Sequence, residues 1–194
     1  MILWGRPSSV NVQKVLWALA ELSRPFEHRI VGDKYGGTDT PEFAALTPVP
    51  RVPVLQDGDL ALWESHAILR YLAGGVPPLA DQWMEYATSS LQPAFIRLFY
   101  ERVRTPPAKR QGNAAELEAA FQAGLAPLEW QLEKTSWLGG ESFGMADIAA
   151  GAMMYRAHDM GVSFGPEVAR WYGQLCERAA YREIVMTSYE ELRG

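Results

Sequence analysis

Hydrophobic residues follow two different spacings in the first part of the chain. Residues 1–4 form a short apolar run typical of a β-strand, and residues 10–22 place apolar side chains on one helical face (Val12, Val15, Leu16, Leu19 and Leu22). Residues 26–31 mix apolar, charged and β-branched side chains between turn signals, which predicts a second strand. A strand, a helix and a strand in this order predict a βαβ unit.

Residues 40–43 (Thr-Pro-Glu-Phe) predict the capped start of a short helix with proline in its first turn, and a hairpin and a second helix are predicted after it. Residues 51–55 (Arg-Val-Pro-Val-Leu) are β-prone, Asp57-Gly58 supplies a tight turn, and a second apolar run follows the turn. Ser65 is a good capping residue, so we expect it to be the N-cap of a helix over residues 67–72. These elements complete a small α/β domain over residues 1–75.

The proline inside the third predicted strand needs its own explanation. Proline removes a hydrogen-bond donor and is normally excluded from the middle of a sheet. Pro53 therefore predicts either a sheet edge or a cis Val52–Pro53 bond, which would leave the Val52 backbone open to a ligand.

Beyond residue 75 the pattern changes to helix alone. Residues 74–78 (Gly-Gly-Val-Pro-Pro) read as a linker. Helical periodicity then predicts five helices, over residues 81–103, 113–134, 146–158, 166–178 and 181–192. The predicted fold class is therefore α/β plus all-α, with an α/β domain at 1–75 and an all-helical domain at 80–194.

Composition narrows the function. The net charge is −5 and no Lys/Arg run is present, which argues against a nucleic-acid partner. No apolar stretch reaches the roughly 18 residues that span a bilayer, and no secretory signal pattern is seen, so we expect a cytoplasmic protein without a membrane partner. Cys176 is the only cysteine, which excludes an intrachain disulfide, and the three histidines lie far apart, so we expect no metal.

Five short motifs occur in an informative order. They are Ser9 and Asn11 ahead of the helix, residues 40–43 (Thr-Pro-Glu-Phe), 51–55, 64–68 (Glu-Ser-His-Ala-Ile) and 143–148 (Phe-Gly-Met-Ala-Asp-Ile). In this order and spacing the chain resembles the glutathione transferase superfamily, in a bacterial type with a serine-class-like active site. The resemblance implies a thioredoxin-like domain at 1–75 that binds glutathione and an all-helical domain at 80–194 that contributes a pocket for the electrophile.

The resemblance also implies partners and leaves alternatives open. Glutathione would be a co-substrate, the second substrate a small hydrophobic electrophile, and the assembly a homodimer active in detoxification. A glutathione-dependent reductase, isomerase or dehalogenase of the same superfamily stays open. So does a non-catalytic binding or regulatory protein that keeps the fold.

Two positions depart from the family pattern. The loop before the proline strand usually reads Asn-Pro-x-Gly, whereas residues 47–50 are Thr-Pro-Val-Pro, which makes it stiffer. Gly144 replaces the usual Ser or Thr cap three residues before Asp147, at a cost of a few tenths of a kcal/mol. Asp147 can still accept hydrogen bonds from backbone amides there.

The catalytic candidates implied by the resemblance are Ser9 and Asn11. The glutathione thiol resembles free cysteine, with a pKa of about 8.5, and is mostly protonated at neutral pH. A hydroxyl donor at a helix N-terminus stabilises the thiolate by hydrogen bonding and by the helix dipole. Ser9 occupies the family's hydroxyl position, with Ser8 as the alternative, and either serine also has a plain capping explanation. Asn11 is a second donor or a helix-start residue.

The binding candidates are Val52, Pro53, Glu64, Ser65 and Arg51. The Val52 backbone would pair with the cysteinyl unit of glutathione as in a β-ladder. At the γ-glutamyl end, Ser65 and the helix start suit the carboxylate and Glu64 suits the ammonium. Arg51, or alternatively Lys34, would reach the glycine carboxylate.

Further side chains are expected near the same site. His66, beside this site, reads as a surface or interface residue. We expect the electrophile pocket between the domains, near aromatic residues whose spacing is more often that of a core (Trp4, Tyr86, Phe95, Phe99 and Tyr100).

Overall fold

A computed structural model describes residues 1–194. The chain divides into two compact units, Met1–Gly75 and Val76–Gly194. Every strand of the sheet lies in the first unit, and the second is built from helices. Each unit has its own buried apolar core, as expected for chain segments of this size.

The first unit contains a four-stranded sheet with the order β2-β1-β3-β4. The strands are β1 Ile2–Trp4, β2 Glu27–Arg29, β3 Val54–Asp57 and β4 Leu60–Trp63; the helices are α1 Val10–Glu21, α2 Pro41–Ala44 and α3 Ser65–Leu72. Strands β1 and β2 are parallel, and the other two pairs are antiparallel. The predicted βαβ unit and the hairpin that follows it are both present.

Burial explains where the elements begin and end. Helix α1 is buried along almost its whole length, including Val12 and Leu19, and it packs against α3. Strand β2 is shorter than predicted because Phe26 and Ile30, at its two ends, are 36% and 48% exposed and gain little from pairing. The Thr40 side chain caps α2 by accepting from the Phe43 amide at 3.3 Å, as expected from Pro41 in the first turn.

The Val52–Pro53 peptide bond is cis. Strand β3 begins at Val54, so Pro53 lies just before the ladder and the strand itself can occupy the interior of the sheet. Of the two explanations that the sequence left open, the cis bond is the one that is present.

The second unit contains seven helices. They are α4 Pro78–Tyr86, α5 Gln92–Phe99, α6 Ala114–Leu132, α7 Met145–Gly151, α8 Met154–Asp159, α9 Pro166–Glu177 and α10 Ala179–Ile184. The single helix predicted over 81–103 is continuous but contains π-helical turns at Ala87–Leu91 and Tyr100–Arg104. The helix predicted over 146–158 is interrupted at residues 152–153, and the one predicted over 181–192 ends at Ile184.

A buried carboxylate connects three parts of this unit. Asp147, in the first turn of α7, accepts from the amides of Leu138 at 3.0 Å and Gly144 at 2.9 Å and from the indole of Trp171 at 2.8 Å. The expected contact with the backbone at the α7 start is therefore present.

No helix is both long enough and apolar enough to cross a membrane.

Candidate functional site

A small pocket of about 80 Å³ lies in the first unit, where three segments meet. The segments are the start of α1, the loop before β3 and the junction of β4 with α3. The lining residues are Asn11, Val49, Arg51, Val52, Pro53, Trp63, Glu64 and Ser65. A water molecule takes about 30 Å³ in the liquid, so a pocket of this size has room for one end of a peptide but not for a whole tripeptide.

The loop before β3 is held by local hydrogen bonds and by packing. The Thr47 hydroxyl accepts from the Val49 amide and donates to the Val49 carbonyl, both at 3.1 Å. The Val52 side chain packs against the buried cluster that contains Trp4 and Phe43. The Val52 amide and carbonyl make no backbone hydrogen bond outside the strand ladders, which leaves the pocket wall with polar backbone groups.

Gly5 allows this loop to approach α1. Its φ is +154°, and a Cβ there would lie 2.5 Å from Val12 Cγ2 and 3.3 Å from Val52 Cβ. The Gly5 amide donates to the Arg29 carbonyl at 2.9 Å, which fixes the chain at the end of β1. A side chain at this position would displace the pocket wall.

Helix α3 begins two residues earlier than predicted. Its first residue is Ser65, and Glu64, with φ +69° and ψ +114°, occupies the N-cap position. The prediction that Ser65 is the N-cap of a helix over 67–72 is therefore wrong. The Glu64 carbonyl accepts from the Ile68 amide at 3.0 Å and starts the helical ladder, and Ser65 is 5% exposed at the pocket wall.

The start of α1 presents two serines in different settings. Ser8 is buried, and its Oγ accepts from Arg6 Nη1 at 2.7 Å. Ser9 is half-buried and is the N-cap of α1, where its carbonyl accepts from the Gln13 amide at 2.8 Å while its side chain makes no capping hydrogen bond. Ser9 is not among the pocket-lining residues, but Asn11, two residues later, is.

His66 is not a surface residue of this unit. It is 5% exposed, and its Nε2 lies 3.0 Å from Nζ of Lys14, which is fully buried. Sequence reasoning missed Lys14 as a buried group. No sequence signal marks this burial, because the apolar residues of α1 follow one helical face, and only the packing of the helix covers Lys14.

Of the two residues expected to reach the glycine carboxylate, only one lines the pocket. Arg51 lines the pocket, whereas Lys34 lies exposed in a 3₁₀ turn with its ammonium over the Tyr35 ring. Val49 and Trp63, which were not singled out from the sequence, also line the pocket.

Most aromatic residues named for an electrophile pocket have structural roles. Trp4 packs edge-on against Phe43 in the core of the first unit, and Phe95 stacks on Phe99 in the core of the second. The Tyr86 hydroxyl donates to the Gly124 carbonyl at 2.9 Å. Tyr100 is 50% exposed and lines a separate cleft of about 370 Å³ in the second unit, so it alone of the five has a largely accessible ring.

The chemistry of the pocket suits a zwitterionic ligand. Glu64 offers an anion, Arg51 a cation, Asn11 and Ser65 neutral polar groups, and α3 the free amides of a helix start. Within the first and second units, no group of three His, Cys, Asp or Glu side chains has the arrangement needed to hold a metal ion.

Both units of the chain match models of known protein domains. Residues 1–74 match the model of the glutathione S-transferase N-terminal domain, and residues 111–174 match the C-terminal domain. Glutathione S-transferase GstB of Escherichia coli (strain K12) is 38% identical over an alignment of 205 positions that covers 95% of this chain and 97% of the relative. Glutathione S-transferase 4 of Zea mays is 28% identical over 94% of this chain and 90% of its own length.

Solved structures of glutathione transferases also resemble this chain over nearly its whole length. The theta class glutathione S-transferase of Xanthomonas axonopodis pv. citri, with glutathione bound, superposes with a TM-score of 0.90 at 38% identity and covers 96% of this chain and 97% of its own. Glutathione transferase F2 of Populus trichocarpa gives 0.81 at 26% identity, covering 95% and 97%. The chain belongs to the glutathione S-transferase family. The predicted thioredoxin-like plus all-helical fold, the transferase activity and glutathione as co-substrate are confirmed.

Proposed function

We propose that this enzyme binds glutathione at the pocket formed by the starts of α1 and α3 and the Val52–Pro53 loop. The observation that carries the proposal is that one pocket collects six of the seven residues expected to form the site: Asn11, Arg51, Val52, Pro53, Glu64 and Ser65. These residues are up to 54 positions apart in the sequence, and the fold brings them together.

The γ-glutamyl end of glutathione would occupy the pocket itself. Its carboxylate would accept from the Ser65 hydroxyl and from free amides at the α3 start, and its ammonium would pair with Glu64. The cysteinyl unit would then lie along the rim and exchange backbone hydrogen bonds with Val52. Arg51, which is exposed, would reach the glycine carboxylate.

Ser9 would donate its hydroxyl hydrogen bond to the glutathione sulfur. Its side chain is not used to cap α1, whereas the Ser8 hydroxyl is buried and bonded to Arg6. Lowering the thiol pKa by about two units needs about 2.7 kcal/mol of differential stabilisation. One charge-assisted hydrogen bond together with the α1 N-terminus supplies an energy of this size. Asn11 would be a second donor.

The reaction would be nucleophilic attack by the thiolate on a small apolar electrophile. A sulfur–carbon bond forms, and either a halide or similar group leaves with its electron pair or the electron pair moves onto an activated double bond, which is then protonated. Catalysis rests on proximity and on the stabilised anion, without a covalent enzyme intermediate. We assign the electrophile pocket to the helical domain, residues 80–194. Conversion of the electrophile into a thioether would detoxify it.

The proposed setting is a cytoplasmic homodimer. A two-fold dimer follows the commonest symmetry of soluble oligomers. Sedimentation of the purified chain at micromolar concentration tests this directly: a mass of two chains is expected, and a single-chain mass contradicts it.

Turnover of glutathione with a chlorodinitrobenzene substrate tests the proposed function. The wild-type chain should form the thioether, and Ser9→Ala should lower kcat by about 10- to 100-fold while it still binds glutathione. Ser8→Ala is the matched control and should retain most of the activity. Retention on immobilised glutathione without any turnover of several electrophile classes would contradict the proposal and favour a binding protein.

A further inference from the structure

Helices α1 and α3 are connected by a buried polar contact between residues that lie close in sequence to the lining of the proposed glutathione pocket. Lys14 is 0% exposed and His66 is 5% exposed, and Lys14 Nζ lies 3.0 Å from His66 Nε2. His66 follows Ser65 on α3, while Lys14 follows Asn11 by one turn on α1. The contact therefore connects the two helix starts that each contribute a residue to the pocket lining, Asn11 on α1 and Ser65 on α3.

The ammonium at this position is not explained by the stability of the fold. Burial lowers the pKa of Lys14 from 10.5 to about 7, and the neighbouring Glu64 carboxylate offsets part of that effect. Taking an ammonium out of water opposes folding, and an apolar side chain of similar volume would avoid this cost.

The charge on Lys14 determines the direction of its hydrogen bond with His66. An ammonium can only donate, so the charged Lys14 donates to Nε2, and a neutral His66 then carries its proton on Nδ1. The titratable groups that face Lys14 are His66 and Glu64, both at the start of α3. Glutathione carries two carboxylates and one ammonium, so its net charge is negative and a fixed cation nearby favours its binding.

We propose that Lys14 is a positioning residue for glutathione: through His66 it fixes the start of α3 against α1, and its buried positive charge favours the anionic tripeptide. This inference rests on the proposed glutathione site. It follows that glutathione should bind more tightly when Lys14 is charged, and that binding should take up protons near neutral pH.

S-methylglutathione is the best probe, because it keeps both carboxylates and the ammonium but has no thiol to titrate. Its Kd is measured by isothermal titration calorimetry at pH 6 and pH 8. If ligand binding raises the pKa of Lys14 by about one unit, the wild-type Kd rises by about fivefold from pH 6 to pH 8. Lys14→Met should bind about tenfold more weakly than wild type at pH 6, with no further change at pH 8.

Two more variants separate positioning from a merely structural role. Lys14→Arg keeps the charge across this range, so its Kd should be independent of pH. His66→Gln keeps an acceptor for Lys14 and removes the imidazole, so the pH dependence should persist. If Lys14→Met does not fold, the pH profile of Lys14→Arg still decides the question.

The outcomes are distinguishable. A wild-type chain that does not bind S-methylglutathione at either pH overturns the glutathione site and this inference together. A chain that binds with the same Kd at pH 6 and pH 8, or a Lys14→Arg chain that keeps the wild-type pH dependence, overturns the role of Lys14 alone.

Discussion

Trp171 donates its indole N–H to Asp147 Oδ1 at 2.8 Å, and both side chains are fully buried. The same oxygen accepts from the Leu138 amide, and the second carboxylate oxygen accepts from the Gly144 amide. This single side chain thus joins α9 to the start of α7 and to the loop that precedes it.

Asp147→Ala should lower the free energy of unfolding by about 3 to 5 kcal/mol, because three buried donors lose their acceptor. Asp147→Asn keeps an oxygen for Leu138 and Trp171 but places an amide group opposite the Gly144 amide, so it should cost less. Urea denaturation followed by tryptophan fluorescence measures both. Equal stability of Asp147→Ala and wild type would show that these bonds do not hold the second unit together.

Glu64→Gln should raise the KM for glutathione by about 10-fold or more, since a charge-assisted hydrogen bond to the ligand ammonium becomes a neutral one. The KM for the electrophile should be unchanged. Glu42→Gln is a matched control, because Glu42 is exposed on α2 and pairs with Arg29 away from the pocket. A similar KM for glutathione in Glu64→Gln and Glu42→Gln would remove Glu64 from the site.

Gly5→Ala should both destabilise the first unit and weaken glutathione binding. The new Cβ would approach Val12 Cγ2 to 2.5 Å and press on Val52, and overpacking of this kind costs about 1 to 3 kcal/mol. Gly58→Ala is the control: its φ is also positive, at +60°, but no atom lies within 4 Å of the new Cβ. It should lose stability through backbone strain alone and keep the wild-type Kd for glutathione. A normal Kd in folded Gly5→Ala would contradict the role of this contact.

Lys14 should make stability rise with pH above neutrality. Its pKa is about 7 in the folded chain and 10.5 in the unfolded chain, so between these values the unfolded chain binds a proton that the folded chain has released. Stability therefore increases as the pH rises from 7 towards 10. Lys14→Met should lack this increase, whereas Lys109→Met, at an exposed position, should keep it. Parallel stability profiles of Lys14→Met and Lys109→Met from pH 7 to 9.5 would show that Lys14 does not titrate in this way.

Local chemistry made much of the first unit predictable. The Thr40 cap and the cis bond at Pro53 each depend on residue types with few conformational alternatives. The predicted start of α3 is wrong because Glu64 adopts a positive φ. Positive φ is uncommon for non-glycine residues, so the residue type does not predict it. In the second unit, the π-helical turns and the break before α8 depend on tertiary packing that periodicity does not encode.

The residues that line the candidate site could be predicted from the sequence, but the contacts that hold them in place could not. Pattern and resemblance named Asn11, Glu64 and Ser65, which line one pocket, because their chemistry suits a zwitterionic peptide. The Lys14–His66 contact joins residues 52 positions apart, and only the packing of α1 on α3 reveals it. The different settings of Ser8 and Ser9 likewise depend on the Arg6–Ser8 hydrogen bond, a contact that the sequence alone does not specify.

The pKa of the enzyme-bound glutathione thiol tests the central claim most directly. It is measured from the ultraviolet absorbance of the thiolate as a function of pH, with wild type, Ser9→Ala and Ser8→Ala compared. In wild type and Ser8→Ala the pKa should lie about two units below the value of about 8.5 for a free thiol, and in Ser9→Ala it should return towards that value. A bound thiol that titrates like free glutathione in the wild-type enzyme, or equally low in Ser9→Ala, would contradict the account.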